Sequence, residues 1–383
     1  MCDNTDRIPP GIATDTSPVE TLVCRTTHHT SDEFPLVPPD AKMSNKGVLT
    51  KSPNGCRKEC LAEMERQLKG PGGTFKTGCK HMVEGYFYDD VENRFGHIID
   101  GPQPSTDEPG TNIVRLAVCV RDGEGNEKSI SCVDIAHTPL RQVSDKFNQG
   151  LGKVLHEVSE KLLKEGTDCR VGKNFGEMFV TGHRVHSREI IECAATDNKL
   201  HRRLENSAER YFRKYGFGQW VDVLQGAIKK RKGCGKNLPS GSDTPWTTMS
   251  VTTMNCGNED HVDGGDHCQG ITIWHESNPP TVKQSARRTL KGWHFLFPNM
   301  EVRIGEEWKR GVAVRLQHGT VVTWDARLIR HCTSLPCLQF NKKKDKIVSM
   351  THGTHFGIDK RIANWLEREQ ETKKRKRCNA APK

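Results

Sequence analysis

The sequence predicts an α+β protein whose C-terminal half forms an antiparallel sandwich or barrel, backed by helices from the middle of the chain. Three observations carry that expectation. From residue 247 onward, short apolar runs recur with turn residues between them, as in all-β sandwiches and barrels. Ahead of them lie a hairpin-like pair of apolar runs and then segments of helical periodicity, which suits helices packed on one face of a sheet. The first 110 residues hold 11 of the 19 prolines and several Gly-broken polar stretches, so a poorly ordered lead segment is expected there.

Within residues 1–110, the spacing of Leu61, Met64 and Leu68 predicts one short helix over Arg57 to Lys69. Ordered structure is expected over 111–358. Ile113 to Val120 reads as a strand, Asp122 to Asn126 as a turn, and Lys128 to Ile135 as the returning strand. Thr138-Pro139 opens a helix whose apolar face is Val143, Phe147, Leu151, Val154, Val158 and Leu162, and Gly166 ends it. Phe175 to Val180 is a short strand, while His201 to Tyr215 and Gln219 to Lys230 are helical. The β-rich core, 247–358, then runs through Thr247 to Met254, Gln269 to Trp274, Trp293 to Phe297, Val312 to Leu316, Thr320 to Trp324, Leu328 to His331 and Lys346 to Phe356. Residues 359–383 supply a closing helix, Asp359 to Glu371, and a basic tail.

Composition narrows the class. A hydrophobic content of 34% is low for 383 residues, so part of the chain is expected outside any core. No run approaches the roughly 20 apolar residues that span a bilayer, and Met1 to Asp6 lacks the basic then apolar pattern of a secretory signal. A soluble intracellular protein with no membrane partner is expected. The 15 cysteines are odd in number and scattered, which favours reduced thiols over a disulfide framework. Cys56, Cys60, Cys79 and His81 have the types and number for a tetrahedral zinc site, or are simply free side chains.

The net charge of +10 is concentrated. Lys373-Lys374-Arg375-Lys376-Arg377 forms one basic run, and Lys229-Lys230-Arg231-Lys232 with Lys236 forms another. Such clusters read as nuclear-import signals or phosphate contacts, or as solvated ends. They lead to the expectation of a nuclear protein with DNA as its partner.

The chemistry centres on Asn258-Glu259-Asp260-His261-Val262-Asp263. A His and an Asp two residues apart in extended backbone point to the same side. One imidazole and one carboxylate are two of the three ligands of a facial iron(II) site, which leaves coordination positions open. The third would be a second His at the end of another strand, and His331 fits, following Gly319-Thr320-Val321-Val322-Thr323-Trp324-Asp325. His-x-Asp alone recurs by chance in many proteins; the β-rich setting and His331 give this one its meaning.

Residues 247–358 resemble a 2-oxoglutarate/Fe(II)-dependent dioxygenase domain, whose core is a double-stranded β-helix (jelly-roll). His318 to Asp325 looks like the strand and turn leading to the distal iron-binding His. Asn258-x-x-His261-x-Asp263, with Gly270-Ile271-Thr272-Ile273-Trp274 behind it, is similar to the metal strand of the TET/JBP branch. The resemblance implies iron held by His261, Asp263 and His331, with 2-oxoglutarate and oxygen as co-substrates. The expected reaction is oxidation of the methyl of 5-methylcytosine or thymine in DNA. The family anchors 2-oxoglutarate with an Arg or Lys shortly past the second His, but no Arg lies between Cys332 and Lys360. Lys346 takes the matching place, with Ser349 as helper; Lys pairs with a carboxylate without the bidentate fork of Arg. Lys346 is otherwise a loop charge beside Lys342, Lys343 and Lys344, and ascorbate, used by an algal relative of this branch, is then the alternative co-substrate.

Other side chains are weighed beside these. His352 and His355 should lie on opposite faces of the last strand. Asp266 and His267 are candidates to orient a ligand, and Trp274, Trp293 and Trp324 read as core. Asn258 and Arg327 are candidate contacts to a flipped base. Two further readings stand beside DNA oxidation: the same iron chemistry on a protein or small molecule, and a non-catalytic β-barrel binding module.

Overall fold

The computed structural model describes residues 19–27, 113–122, 124–138, 150–165, 175–186, 189–193, 198–232, 245–257, 260–276, 294–334 and 351–364, with short pieces at 42–43, 49–51, 91, 94–100, 140, 368, 371–372 and 375. The strands are β1 (Val19–Thr26), β2 (Lys42–Met43), β3 (Leu49–Lys51), β4 (His97–Ile99), β5 (Ile113–Arg121), β6 (Glu127–His137), β7 (Phe175–His186) and β8 (Glu189–Cys193). After three helices follow β9 (Thr248–Gly257), β10 (Gly270–Glu276), β11 (His294–Ile304), β12 (Glu307–Arg315), β13 (Thr320–Trp324), β14 (Cys332–Thr333) and β15 (Thr351–Gly357). The helices are α1 (Leu151–Glu165), α2 (Asn198–Lys214) and α3 (Gly218–Lys232). Among the described residues, β2 and β3 form a separate two-stranded sheet.

The remaining strands make one continuous sheet, β4-β12-β11-β1-β5-β6-β13-β10-β15-β9-β7-β8, with β14 also against β11. All pairs are antiparallel except β1–β5 and β4–β12. Because β1 joins β5 to β11, the sheet turns back, and β11–β12 face the strands around β10 and β13. Strand alternation then separates two cores. Thr272 and Trp274 on β10 point inward, where the Trp274 ring lies 5.1 Å from Phe295 and Phe295 lies 4.7 Å from Trp324. Val118, Val133, Ile135, Phe297, Val312 and Val314 complete this inner core.

Ile271 and Ile273 point outward and are covered by the helices. Helical spacing decides which residues cover them: Leu151, Val154, Leu155, Val158 and Leu162 from α1; Leu204, Ala208 and Phe212 from α2; Trp220, Val221, Leu224 and Ile228 from α3. Phe212 meets Phe356 and Trp246 edge to face at 5.4 and 6.3 Å, and each such ring contributes roughly 1.5–3 kcal/mol by leaving water. Gly216, at φ 85°, ends α2, and the Phe217 N–H reaches back to the Phe212 carbonyl at 2.8 Å.

The sequence expectation of an α+β, sheet-rich core with helices on one face agrees with this arrangement. The β5–β6 hairpin, α2, α3 and most strands of the C-terminal half stand where periodicity put them, but Thr138-Pro139 does not open a helix: the Thr138 N–H is taken by the Gly319 carbonyl at 2.9 Å, Leu140 is not helical, and Gly150 is a bend ahead of α1. The structure departs from the expectation in several places. Val19–Thr26, within the expected disordered lead, is a strand between β5 and β11, and His97–Ile99 pairs with β12. Val19–Thr26 has partners on both edges, which a local reading of Pro and Gly content cannot see. β7 runs on to His186 and turns into the unforeseen β8. β11 and β12 are a long hairpin turned by Gly305 at φ 62°.

Leu328 to His331 is not the strand expected. Leu328 and Ile329 donate to the Asp325 carbonyl at 3.0 Å, and the Asp325 carboxylate accepts from the Arg327 N–H at 3.1 Å, coiling the chain into a turn. The predicted helix at Arg57 to Lys69, the start of the helix at Val143 and Phe147, the Cys56/Cys60/Cys79/His81 set and the first residues of the last strand lie outside the described residues. From 360 onward the described residues, 360–364, 368, 371–372 and 375, are all helical, the first turn begun by the Asp359 carboxylate accepting from the Arg361 N–H at 2.7 Å. Among the described residues, no helix is long and apolar enough to cross a membrane.

Candidate metal centre

His261 and His331, 70 residues apart in sequence, are paired across a single antiparallel bridge. Each backbone N–H donates to the other's carbonyl, at 3.0 and 2.9 Å. Directly opposed residues put their side chains on one side, so the two rings lie with centroids 4.5 Å apart. Two residues on, the Asp263 N–H is held by the Ala326 carbonyl at 2.8 Å. Extended backbone returns Asp263 to the side of His261, while Val262 between them is 42% exposed. The Asp263 carboxylate therefore spans both imidazoles, with Oδ1 3.3 Å from His261 Nε2 and Oδ2 3.4 Å from His331 Nε2.

The donor set suits a divalent cation. One ligand atom from each residue lies within 4.8 Å of the other two, and no other group of this kind occurs among the described residues. A cation about 2.1 Å from each donor needs its ligand atoms about 3 Å apart, close to the two separations observed. His331 Nδ1 lies 3.1 Å from the Ile329 carbonyl. A carbonyl only accepts, so Nδ1 carries a proton, and Nε2 is the nitrogen that faces Asp263 and would ligate a metal. Burial opposes ionisation of the Asp263 carboxyl, but hydrogen bonds and charge from His261 and His331 outweigh it and hold the group well below the usual carboxylate range. Two imidazoles and one carboxylate on one side, with the other side open, is the ligand arrangement of non-haem iron(II) oxygenases.

The surroundings fix this geometry. His331 is buried against Phe295, 5.5 Å away, and Trp324, 5.0 Å away. Arg330 Nε donates to the Asp260 carboxylate at 2.8 Å and its Nη2 to the Asp260 carbonyl at 2.9 Å, tying together the two segments that form the bridge. Arg327 sits on the turn before His331. Its guanidinium holds Asp325 and donates to the His267 carbonyl, so it joins that turn to the loop following Asp263. Asn258, Lys346 and Ser349 lie outside the described residues.

One inward residue was only half legible in the sequence. His352 turns outward and stacks on His275, whereas His355 turns inward. His355 Nδ1 lies 2.8 Å from Thr272 Oγ1, its Nε2 3.2 Å from Asp266 Oδ2, and its ring 5.5 Å from Trp324. A Cβ on Gly270 would stand 2.2 Å from that ring, so only glycine leaves room for it. Burial disfavours the charged imidazole, but Asp266 outweighs this and raises its pKa. The spacing of His352 and His355 required opposite faces; which one faced inward depended on the register of β15 against β10, Thr272 opposite His355. Trp274 and Trp324 are core, as expected.

No protein-family model matches the chain, and no curated protein matches its sequence. Among solved structures, the chain is similar to one described as NgTET1 in complex with 5mC DNA, at 11% identity over 80% of this chain and 90% of that one. The TM-score of 0.36 makes this a distant likeness of overall shape.

Proposed function

We propose that this chain is an Fe(II)-dependent dioxygenase that oxidises the methyl group of a modified base, 5-methylcytosine or thymine, in DNA, with 2-oxoglutarate and oxygen as co-substrates. The observation that carries the proposal is the convergence of His261, Asp263 and His331, whose ligand atoms lie within 4.8 Å of one another while His261 and Asp263 stay partly exposed. We read the two facing strand layers as a double-stranded β-helix. Bound to the three side chains, iron supplies the activation of oxygen.

The chain's own residues supply the rest. The Ile329 carbonyl keeps His331 in the ligating tautomer. Phe295 and Trp324 shield the buried side of the centre from water. The Asp266–His355 pair, 3.2 Å apart, is a proposed contact for the edge of a flipped base, which would exchange for their present partnership. Lys346, with Ser349, is the proposed anchor of the 2-oxoglutarate carboxylate, and Asn258 and Arg327 are proposed substrate contacts. The cationic clusters at Lys229 to Lys232 and Lys373 to Arg377 favour a nucleic-acid substrate over a protein or small molecule, and the tail supports a nuclear location.

Two measurements test this. Anaerobic iron titration should show tight binding by wild type and at least tenfold weaker binding by Asp263→Ala, the order expected when a metal ligand is lost; equal affinity removes the metal centre from the reading. Nucleoside mass spectrometry after incubating 5-methylcytosine DNA with protein and iron, plus 2-oxoglutarate in one arm and ascorbate in the other, should show oxidised cytosine with 2-oxoglutarate. Product only with ascorbate replaces the co-substrate, and unchanged DNA refutes the substrate.

A further inference from the structure

The outer face of α2 carries a cationic stripe that no feature of the metal centre uses. Leu204, Ala208 and Phe212 turn into the outer core, and the exposed side chains are Lys199, Arg202, Arg203, Asn206, Arg210, Arg213 and Lys214. Six of those seven are basic. The two carboxylates of the helix are turned elsewhere: Glu205 is 4% exposed and paired with His201, and Glu209 is half-buried against Arg213. At about 1.5 Å per residue, Lys199 to Lys214 extends the stripe over roughly 22 Å. α3 folds back beside it and ends in Lys229 to Lys232, so the two helices hold ten basic residues against three acidic ones.

We infer that the α2–α3 hairpin is a second nucleic-acid surface that grips the phosphate backbone, independently of the metal centre. Four of the six cations on the stripe are arginines, whose guanidinium fork suits phosphate oxygens. Ion pairs on the stripe join Arg203 to Glu157 and Arg213 to Glu209 and Asp222, with each partner's side chain at least a quarter exposed, and pairs of that kind are weak enough for a polyanion to displace. A membrane is a poorer partner, because α2's apolar side is consumed by the core and its outer face has no apolar residue to insert. The stripe also has no aromatic residue for base stacking, so the grip is independent of sequence. The hairpin covers the outer face of the sheet, while His331 packs with Phe295 and Trp324 on the inner face. It therefore holds nucleic acid away from the place where a base would react.

The inference takes its choice of partner from the proposed function, and its test needs neither iron nor turnover. Fluorescence anisotropy would measure the binding of a labelled, unmethylated DNA duplex to the full chain in EDTA over a salt series. The proteins are wild type, Asp263→Ala and the triple variant Arg202→Gln, Arg210→Gln, Lys214→Gln. Each lost phosphate contact lowers the slope of log affinity against log salt by about 0.9. The triple variant should therefore lose roughly 2 to 3 units of slope and about tenfold or more in affinity, with an unchanged circular dichroism spectrum, while Asp263→Ala binds like wild type. Equal affinity and slope in the triple variant and wild type overturn the inference. So does arginine-dependent capture by anionic phospholipid vesicles in the absence of DNA binding. Loss of DNA oxidation with this binding intact would instead count against the metal-centre reading alone.

Discussion

Acid should destabilise this fold through histidines buried in their neutral form. On the outer face of β10 and β15, His275 and His352 are stacked with ring centroids 5.1 Å apart, both fully buried, and Ser159 of α1 meets His275 Nε2 at 3.4 Å. Burial, reinforced by the charge of His156, lowers the His352 pKa to about 3. Burial lowers His275 in the same direction, with His352, His318 and His156 adding to it. His137, bonded through Nδ1 to Thr320 Oγ1 at 2.9 Å, is lowered by burial to about 4, against a small opposing pull from Asp100.

A depressed folded-state pKa means that the unfolded chain takes up the proton first. The stability is therefore complete above the unfolded value near 6.5 and is lost as pH falls toward 4 and 3. Each pH unit below 6.5 costs about 1.4 kcal/mol per histidine, so His352 and His137 each lose roughly 2 kcal/mol by pH 5. His275 adds to that loss. His355, raised by Asp266, runs the opposite way: its contribution is full at low pH and fades as pH rises. A combined loss of about 4 kcal/mol is a large part of the 5–15 kcal/mol of an ordinary domain. Urea unfolding of the metal-free protein, followed by circular dichroism at pH 7, 6 and 5, should show it. His352→Leu should recover about 2 kcal/mol of the difference between pH 7 and pH 5. A stability that does not change over this range, or a variant with the wild-type pH dependence, would refute the reasoning.

Two further outcomes follow from local geometry. Gly319 has φ 94°, and a Cβ there would stand 2.1 Å from the Thr138 carbonyl oxygen; Gly319→Ala should lower stability by about 2–3 kcal/mol through left-handed strain and the clash, read as a fall in Tm. Arg327→Gln separates two roles for that residue. If its bonds to Asp325 and His267 hold the metal loop, cobalt(II) affinity should fall severalfold with DNA affinity unchanged. A fall in DNA affinity with cobalt binding intact would make Arg327 a substrate contact instead.

Reading the chain by period went far because much of its structure is written locally. Leu151, Val154, Val158 and Leu162 recur at helical spacing and pack as one face of α1, and the β5–β6 turn is specified by Asp122, whose carboxylate accepts the Glu124 and Asn126 N–H groups at 2.9 Å. His-x-Asp likewise states its own geometry, since two residues of extended backbone return the side chain to the same side. What period cannot give is partnership between distant segments. Val19–Thr26 is a strand because β5 and β11 flank it, and His97–Ile99 is one because β12 runs beside it.

The same division runs through the candidate metal centre. Sequence alone determined which three side chains could ligate a metal, and that His352 and His355 had to part. Only the tertiary structure decided that His261 and His331 are bridge partners, that Arg327 reaches the loop following Asp263, and that His355 rather than His352 faces inward beside Asp266. Those outcomes depend on strand register and on backbone hydrogen bonds between segments tens of residues apart. A one-residue slip would turn every side chain of β15 to the other face.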